Sequence, residues 1–318
     1  MVFRTVIAAA LALGATACAG PPASKEDGAT KGAPDTARLR TYVSTPSGIF
    51  ANAYVLETGR GVIVVDATLT VTDGRRLRAL VDSTSKPLLA VFITHGHPDH
   101  YNGLTELVSG RPPAPIYATP GVDRVIREWD DRKEKQWKGL FKEEWPAVRT
   151  FPNRTVADGV TVTVDGVRFT AHDLGPGESH HDAYWIARDG QETYVFIGDL
   201  VFNDEHSYVS DGHTTEWLAS LERVRRPLAG GRLYPGHGPA GGSELLDKQR
   251  RYLNHFRDEV RRLAAGRPQL TEGEKNELVS RMTAVLPAGK LTFLIGNGAD
   301  AVAAELAESS TATGGVKR

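Results

Sequence analysis

The sequence predicts an α/β protein followed by a helical C-terminal extension. Strand-like and helix-like blocks interleave up to about residue 242, three pairs of β-rich runs are joined at short glycine-containing turns, and the composition then turns helical. At 318 residues, 40% apolar and 24% charged, the chain has room for one large domain or two modest ones, which excludes a disordered or fibrous protein. A formal net charge of -1 leaves no electrostatic footprint for nucleic acid or an anionic membrane.

Residues 1–18 read as an export signal: "MVFR" is a short basic start, and "TVIAAALALGA" is apolar but too short for a permanent span. The only cysteine, Cys18, follows "ATA", so "GATAC" reads either as lipoprotein processing that anchors the chain through Cys18 or as plain cleavage to a soluble exported protein. The cell envelope is the expected location, and a lipid anchor the only expected membrane contact. Residues 19–40 have the Pro/Gly/Ser/Ala-rich composition of a flexible tether. The main domain is expected over residues 41–242 and the extension over 243–318.

Within the main domain, "ANAYVLET" and "GVIVVDA" form a hairpin across "GRG". "DGRRLRALVDS" puts Leu77, Leu80 and Val81 on one helical face, and "PLLAVFITH" is a buried strand. Asp165-Gly166 and Asp189-Gly190 are tight-turn dipeptides centring two more hairpins. "GRLYPGHG" is a short last strand, and "DGHTTEW" starts a helix with Thr214 or Thr215 as its cap. The amphipathic segment with Trp129, Trp137 and Trp145 at spacings of eight could lid a pocket, pack on the domain or pair subunits. After Gly242 come three helical segments.

The chemistry concentrates in "ITHGHPDH". In an extended segment His95 and His97 leave the strand end on one side, while Asp99 and His100 follow one turn later. Four ligand-type groups then enter one small volume, in the neutral imidazole and ionised carboxylate forms that zinc or iron take. One such residue would read as a polar helix start; His-x-His-x-Asp-His directly after an apolar strand reads as a metal site.

"HGHPDH" resembles the signature of the metallo-β-lactamase-fold hydrolases, and the resemblance covers about residues 41–242. In it, "VFIGDLVF" supplies a metal-bridging carboxylate, Asp199, and "YPGHG" a final ligand, His237. Asp66 would be structural, holding the neighbouring loop. The implied fold is a four-layer αβ/βα sandwich of two mixed sheets with the metals at one edge. Where the family carries a histidine after Gly-Pro, this chain reads "GPGESHHDAYWI". Alignment on Gly175, Pro176 and Asp182 puts Glu178 there. Either Glu178 is the ligand or the loop shifts to present His180 or His181; a shift would also have to move the strand start.

The resemblance implies two divalent ions, zinc by expectation with manganese or iron as alternatives. His95, His97 and Glu178 would hold one, Asp99, His100 and His237 the other, with Asp199 bridging. A metal-bridging hydroxide, oriented by Asp99, would cleave an ester, lactone, thioester or amide-type bond of a small molecule. A β-lactamase, an iron-dependent sulfur-dioxygenase-like oxidoreductase and a non-catalytic metal-binding lipoprotein are the alternatives. His206, Tyr208 and His213 follow Asp199 closely enough to line the pocket, or else lie in a surface loop.

Overall fold

The computed structural model describes residues 36–314; the signal, Cys18 and most of the tether lie outside the described residues. β1 (Arg38–Val43) begins inside the stretch expected to be tether, because Leu39 packs against the inter-sheet core. It pairs antiparallel with β2 (Asn52–Glu57), which turns through "GRG" into the antiparallel β3 (Val62–Val65). Helix α1 (Val71–Asp82) starts at Thr70, whose side chain accepts from Asp73 N, and buries Leu77 and Val81 as its period predicts. β4 (Leu88–Phe92) returns parallel to β3.

The helix expected from Asp99 is split into α2 (Pro98–Tyr101) and α3 (Leu104–Val108). Between them Gly103 lies so close to the preceding loop that a Cβ would meet the Ala67 carbonyl at 1.9 Å. β5 (Ile116–Ala118), α4 (Pro120–Phe141) and the two-residue β6 (Arg154–Thr155) complete a six-stranded sheet in sequential order.

The second sheet is built from β7 (Thr161–Val164), β8 (Val167–Gly175), β9 (Asp182–Asp189) and β10 (Glu192–Phe202) as antiparallel neighbours. At the β7–β8 turn Asp165 and Gly166 have φ of 46° and 86°, the positive pair a two-residue I′ turn needs. Helix α5 (Thr214–Arg225) then leads to β11 (Leu233–His237), parallel to β10.

The four layers follow from period-2 burial. In β2 and β3, Val55, Val62 and Val64 face the helices of the first half, while Tyr54, Leu56, Ile63 and Val65 face inward. There they meet Phe169, Trp185, Ala187 and Phe196 of the second sheet. The opposite face of that sheet, with Ile186, Val195 and Ile197, packs on α5 and the C-terminal helices. These are α6 (Glu244–Ala264), α7 (Glu272–Val285) and α8 (Phe293–Gly314), so the extension covers the outer sheet face. Among the described residues no helix is long and apolar enough to cross a membrane.

Candidate metal centre

β4 ends at Phe92, and the chain leaves the sheet edge through Thr94 and His95 into α2. Asp66, itself at φ 60°, fixes this turn: Thr94 N and Oγ1 donate to its two carboxylate oxygens at 2.9 and 2.8 Å. The same carboxylate lies 3.0 Å from His100 Nδ1, which fixes the ring with Nε2 turned inward. Asp66 thus holds both the neighbouring loop and the His100 ring.

Two buried groups result: His95, His97 and Glu178; and Asp99, His100, Asp199 and His237. In the first, Glu178 Oε2 is 2.8 Å from His97 Nδ1 and 3.5 Å from His95 Nε2. In the second, Asp99 Oδ2 is 3.2 Å from His100 Nε2 and 3.0 Å from His237 Nε2. Asp199 lies between the groups, 3.5 Å from His100 Nε2, 3.4 Å from His237 Nε2 and 4.0 Å from His95 Nε2. All seven residues predicted to be ligands therefore come together.

The donor atoms fit divalent cations. His95 Nε2, His100 Nε2, both Glu178 carboxylate oxygens and Asp199 Oδ1 are buried without a hydrogen-bond partner, a cost folded proteins otherwise avoid. Burial pushes the Glu178 carboxyl well above its usual range, and Asp199 and Asp182 push it further. His95 is held neutral, its pKa driven well down by burial and then by His100 and His97. For His100 burial acts downward, but Asp99, Asp199 and Asp66 outweigh it and raise the ring well above its usual value. Clustered buried carboxyls and imidazoles with displaced ionisation, and orphaned donor atoms among them, are what bound cations would resolve.

The loop before β9 explains which of its residues turns inward. The Asp182 side chain accepts from Glu178 N at 2.6 Å, Ser179 N at 3.1 Å and Ser179 Oγ at 2.5 Å. This closed turn directs Glu178 into the first group and His180 and His181 away from it. His180 packs on the Trp129 ring and sits 2.8 Å from His213 Nε2, and His181 is 2.6 Å from Asp173 Oδ1.

Comparison with known proteins agrees with this geometry. The family model described as "Metallo-beta-lactamase superfamily" matches residues 47–237. The chain belongs to the metallo-β-lactamase superfamily. It is 26% identical over 206 residues to a Caenorhabditis elegans "Beta-lactamase-like protein 2 homolog", covering 64% of this chain and 61% of that protein. It is also 26% identical over 195 residues to a "Hydroxyacylglutathione hydrolase" of Xylella fastidiosa, covering 61% and 62%. The match thus spans less than two thirds of these relatives. A "Beta-lactamase domain protein" from Burkholderia ambifaria superposes with a TM-score of 0.62 at 18% identity, over 89% of this chain and 91% of that one, a likeness of fold.

The candidate metal centre opens into a cavity of about 460 Å³, with His97, Asp99, Glu178, Asp199 and His237 in its lining. Tyr208 lines it as expected; His206 does not. His206 is fully buried, with Nδ1 3.1 Å from Tyr252 Oη of α6 and its backbone N donating to Lys290 O. The C-terminal extension covers it, which the ligand-proximal position in sequence could not reveal. Trp137 and Trp145 line the cavity, whereas Trp129 packs on His180.

Sequence reasoning missed Lys133 and Asp211. Asp211 Oδ2 is 2.9 Å from His97 Nε2, so its carboxylate sets the tautomer that leaves Nδ1 facing Glu178. Lys133, buried on α4, donates to Asp211 Oδ1 at 3.1 Å and to Tyr208 Oη at 3.3 Å. Burial alone would raise the Asp211 carboxyl, but His97 and Lys133 hold it well below its usual value. A lysine on the apolar side of the amphipathic α4 was the signal that could have found it.

Proposed function

We propose that this protein is a binuclear metal-dependent hydrolase of small-molecule esters, lactones or thioesters. The observation that carries the reading is the pair of buried ligand groups, with orphaned donor atoms, at the wall of a substrate-sized cavity. Similarity to a protein named hydroxyacylglutathione hydrolase supports the reaction class.

His95, His97 and Glu178 would hold one divalent ion, and Asp99, His100 and His237 the other, with Asp199 between them. Bound there, the ions would supply an acidified water near neutral pH and Lewis-acid polarisation of a substrate oxygen. Although burial acts to raise it, Asp99 is kept ionised by His100 and His237, so it can orient an attacking water by accepting a hydrogen bond from it. Asp66 and Asp211 hold the His100 and His97 rings, and α4 with Tyr208 walls the cavity from water. With Glu178 in place of a histidine, three carboxylates offset three of the four charges of two divalent ions. The centre is then a weaker Lewis acid, and the harder donor set admits manganese or iron beside zinc.

A panel of esters, lactones, thioesters and β-lactams, run with metal-loaded protein, tests this. Turnover of one of the first three, lost in Asp199→Ala, is the expected result. Absence of turnover across the panel with two metals bound would overturn it in favour of a non-catalytic metal-binding protein.

A further inference from the structure

We propose that the cavity above the metal centre selects neutral substrates carrying an apolar acyl arm, a reading that rests on the hydrolase assignment and narrows it. Opposing walls come from distant parts of the chain: Trp137, Phe141 and Trp145 on one side, Ile49, Phe293 and Leu294 on the other. At its rim Leu140 and Phe293 are 68% and 47% exposed. Large apolar side chains left in water beside a cavity mark a surface that an apolar ligand covers.

The charges in the cavity point the same way. Among the described residues Lys133 is the only lysine or arginine in the lining, and its ammonium is already held by Asp211 and Tyr208. Glu144, the acidic side chain of the outer wall, is occupied by Thr72, whose N and Oγ1 donate to it at 2.9 and 2.7 Å. A substrate carboxylate therefore meets no unpaired cationic side chain along these walls, and Glu144 would repel it. An alkyl or alkenyl arm meets aromatic faces over the length of the cavity. That favours neutral acyl esters, lactones and thioesters over β-lactams, which carry a carboxylate beside the scissile amide.

The effect expected is about fourfold per methylene until the cavity is filled, equivalent to about 0.8 kcal/mol each. Two measurements on the metal-loaded protein test it. In the first, 1-alkanols of increasing length are titrated against tryptophan fluorescence, a readout independent of turnover; the Kd should fall about fourfold per added carbon. In the second, kcat/KM for p-nitrophenyl esters from acetate to decanoate should rise with the same slope. Leu140→Gln and Phe293→Gln should flatten both slopes. Val148→Gln, equally exposed at 68% but outside the lining, should leave them unchanged. Chain-length-independent binding, or an ω-carboxylated alcohol binding more tightly than its neutral counterpart, would overturn the proposal. Alkanol affinity that climbs while no ester, lactone or thioester is cleaved would refute the hydrolase assignment and leave the apolar site standing. Ester cleavage without chain-length dependence would do the reverse.

Discussion

Replacing Glu178 by glutamine should stabilise the metal-free protein while shrinking the stabilisation that metal adds. In the structure Glu178 is 1% exposed, both carboxylate oxygens lack hydrogen-bond partners, and Oε2 faces His97 Nδ1 at 2.8 Å. Asp211 holds the opposite nitrogen of that ring, so Nδ1 lies beside the carboxyl without its own proton. Burial pushes the Glu178 carboxyl up at a cost to the metal-free protein, and glutamine, neutral by nature, carries no such cost. The metal-free variant should therefore be more stable by about 1–3 kcal/mol, the usual cost of an unsatisfied buried polar group. With metal present this gain is offset, because an anionic ligand has become a neutral one. A loss of 10 to 100-fold in affinity removes about 1.4–2.8 kcal/mol of metal-linked stabilisation at fixed free metal. For a folded unit of this size that is roughly 2–5 °C in Tm. Thermal melts of wild type and variant, each with chelator and with saturating zinc, read both terms. Glu178→His should restore the metal-induced shift. An unchanged shift in Glu178→Gln, with the shift lost instead in His180→Ala or His181→Ala, would refute the assignment of Glu178.

Three further outcomes follow from other contacts. Asp211→Asn should lower metal affinity 10 to 100-fold through His97. It should also destabilise the metal-free protein by about 3–5 kcal/mol, since Lys133 is left buried without its counter-ion; metal titration and urea unfolding separate the two effects. Glu305→Gln should cost about 1–2 kcal/mol, because this carboxylate accepts from Thr214 N and Thr215 N at the start of α5 and pairs with Arg257. Burial would raise the Glu305 carboxyl, but Thr215 and Thr214 hold it below its usual value. Its contribution is therefore present at neutral pH and lost as pH falls through the carboxylate range, so unfolding curves of variant and wild type should converge in acid. Gly103→Ala should be strongly destabilising by urea unfolding, because the new Cβ would overlap the Ala67 carbonyl.

The candidate metal-holding residues were legible in sequence because most sit in or beside plain strands, where local rules decide direction. His95 and His97 share a side by the alternation of an extended chain, His237 ends β11, and Asp199 lies near the end of β10. The choice among Glu178, His180 and His181 was not legible, since it depends on how the Asp182 side chain closes one turn. Longer-range partners were also hidden. Lys133 and Asp211 are 78 residues apart and meet only when α4 folds over the centre. The cap of α5 was expected from Thr214 or Thr215, but both donate to Glu305, 90 or more residues away on α8. His206 failed as a pocket residue for the same reason, since α6 and the segment before α8 cover it. β6, with two residues, has too little sequence for any pattern.

The site itself is tested by counting metal in the purified protein and in Asp199→Ala, by elemental analysis at saturating metal with turnover measured on the same samples. Two ions per chain in the wild type, with at least one ion and all turnover lost together in the variant, is the expected result. One ion or none in the wild type, or turnover retained in Asp199→Ala, would contradict a binuclear centre built around Asp199.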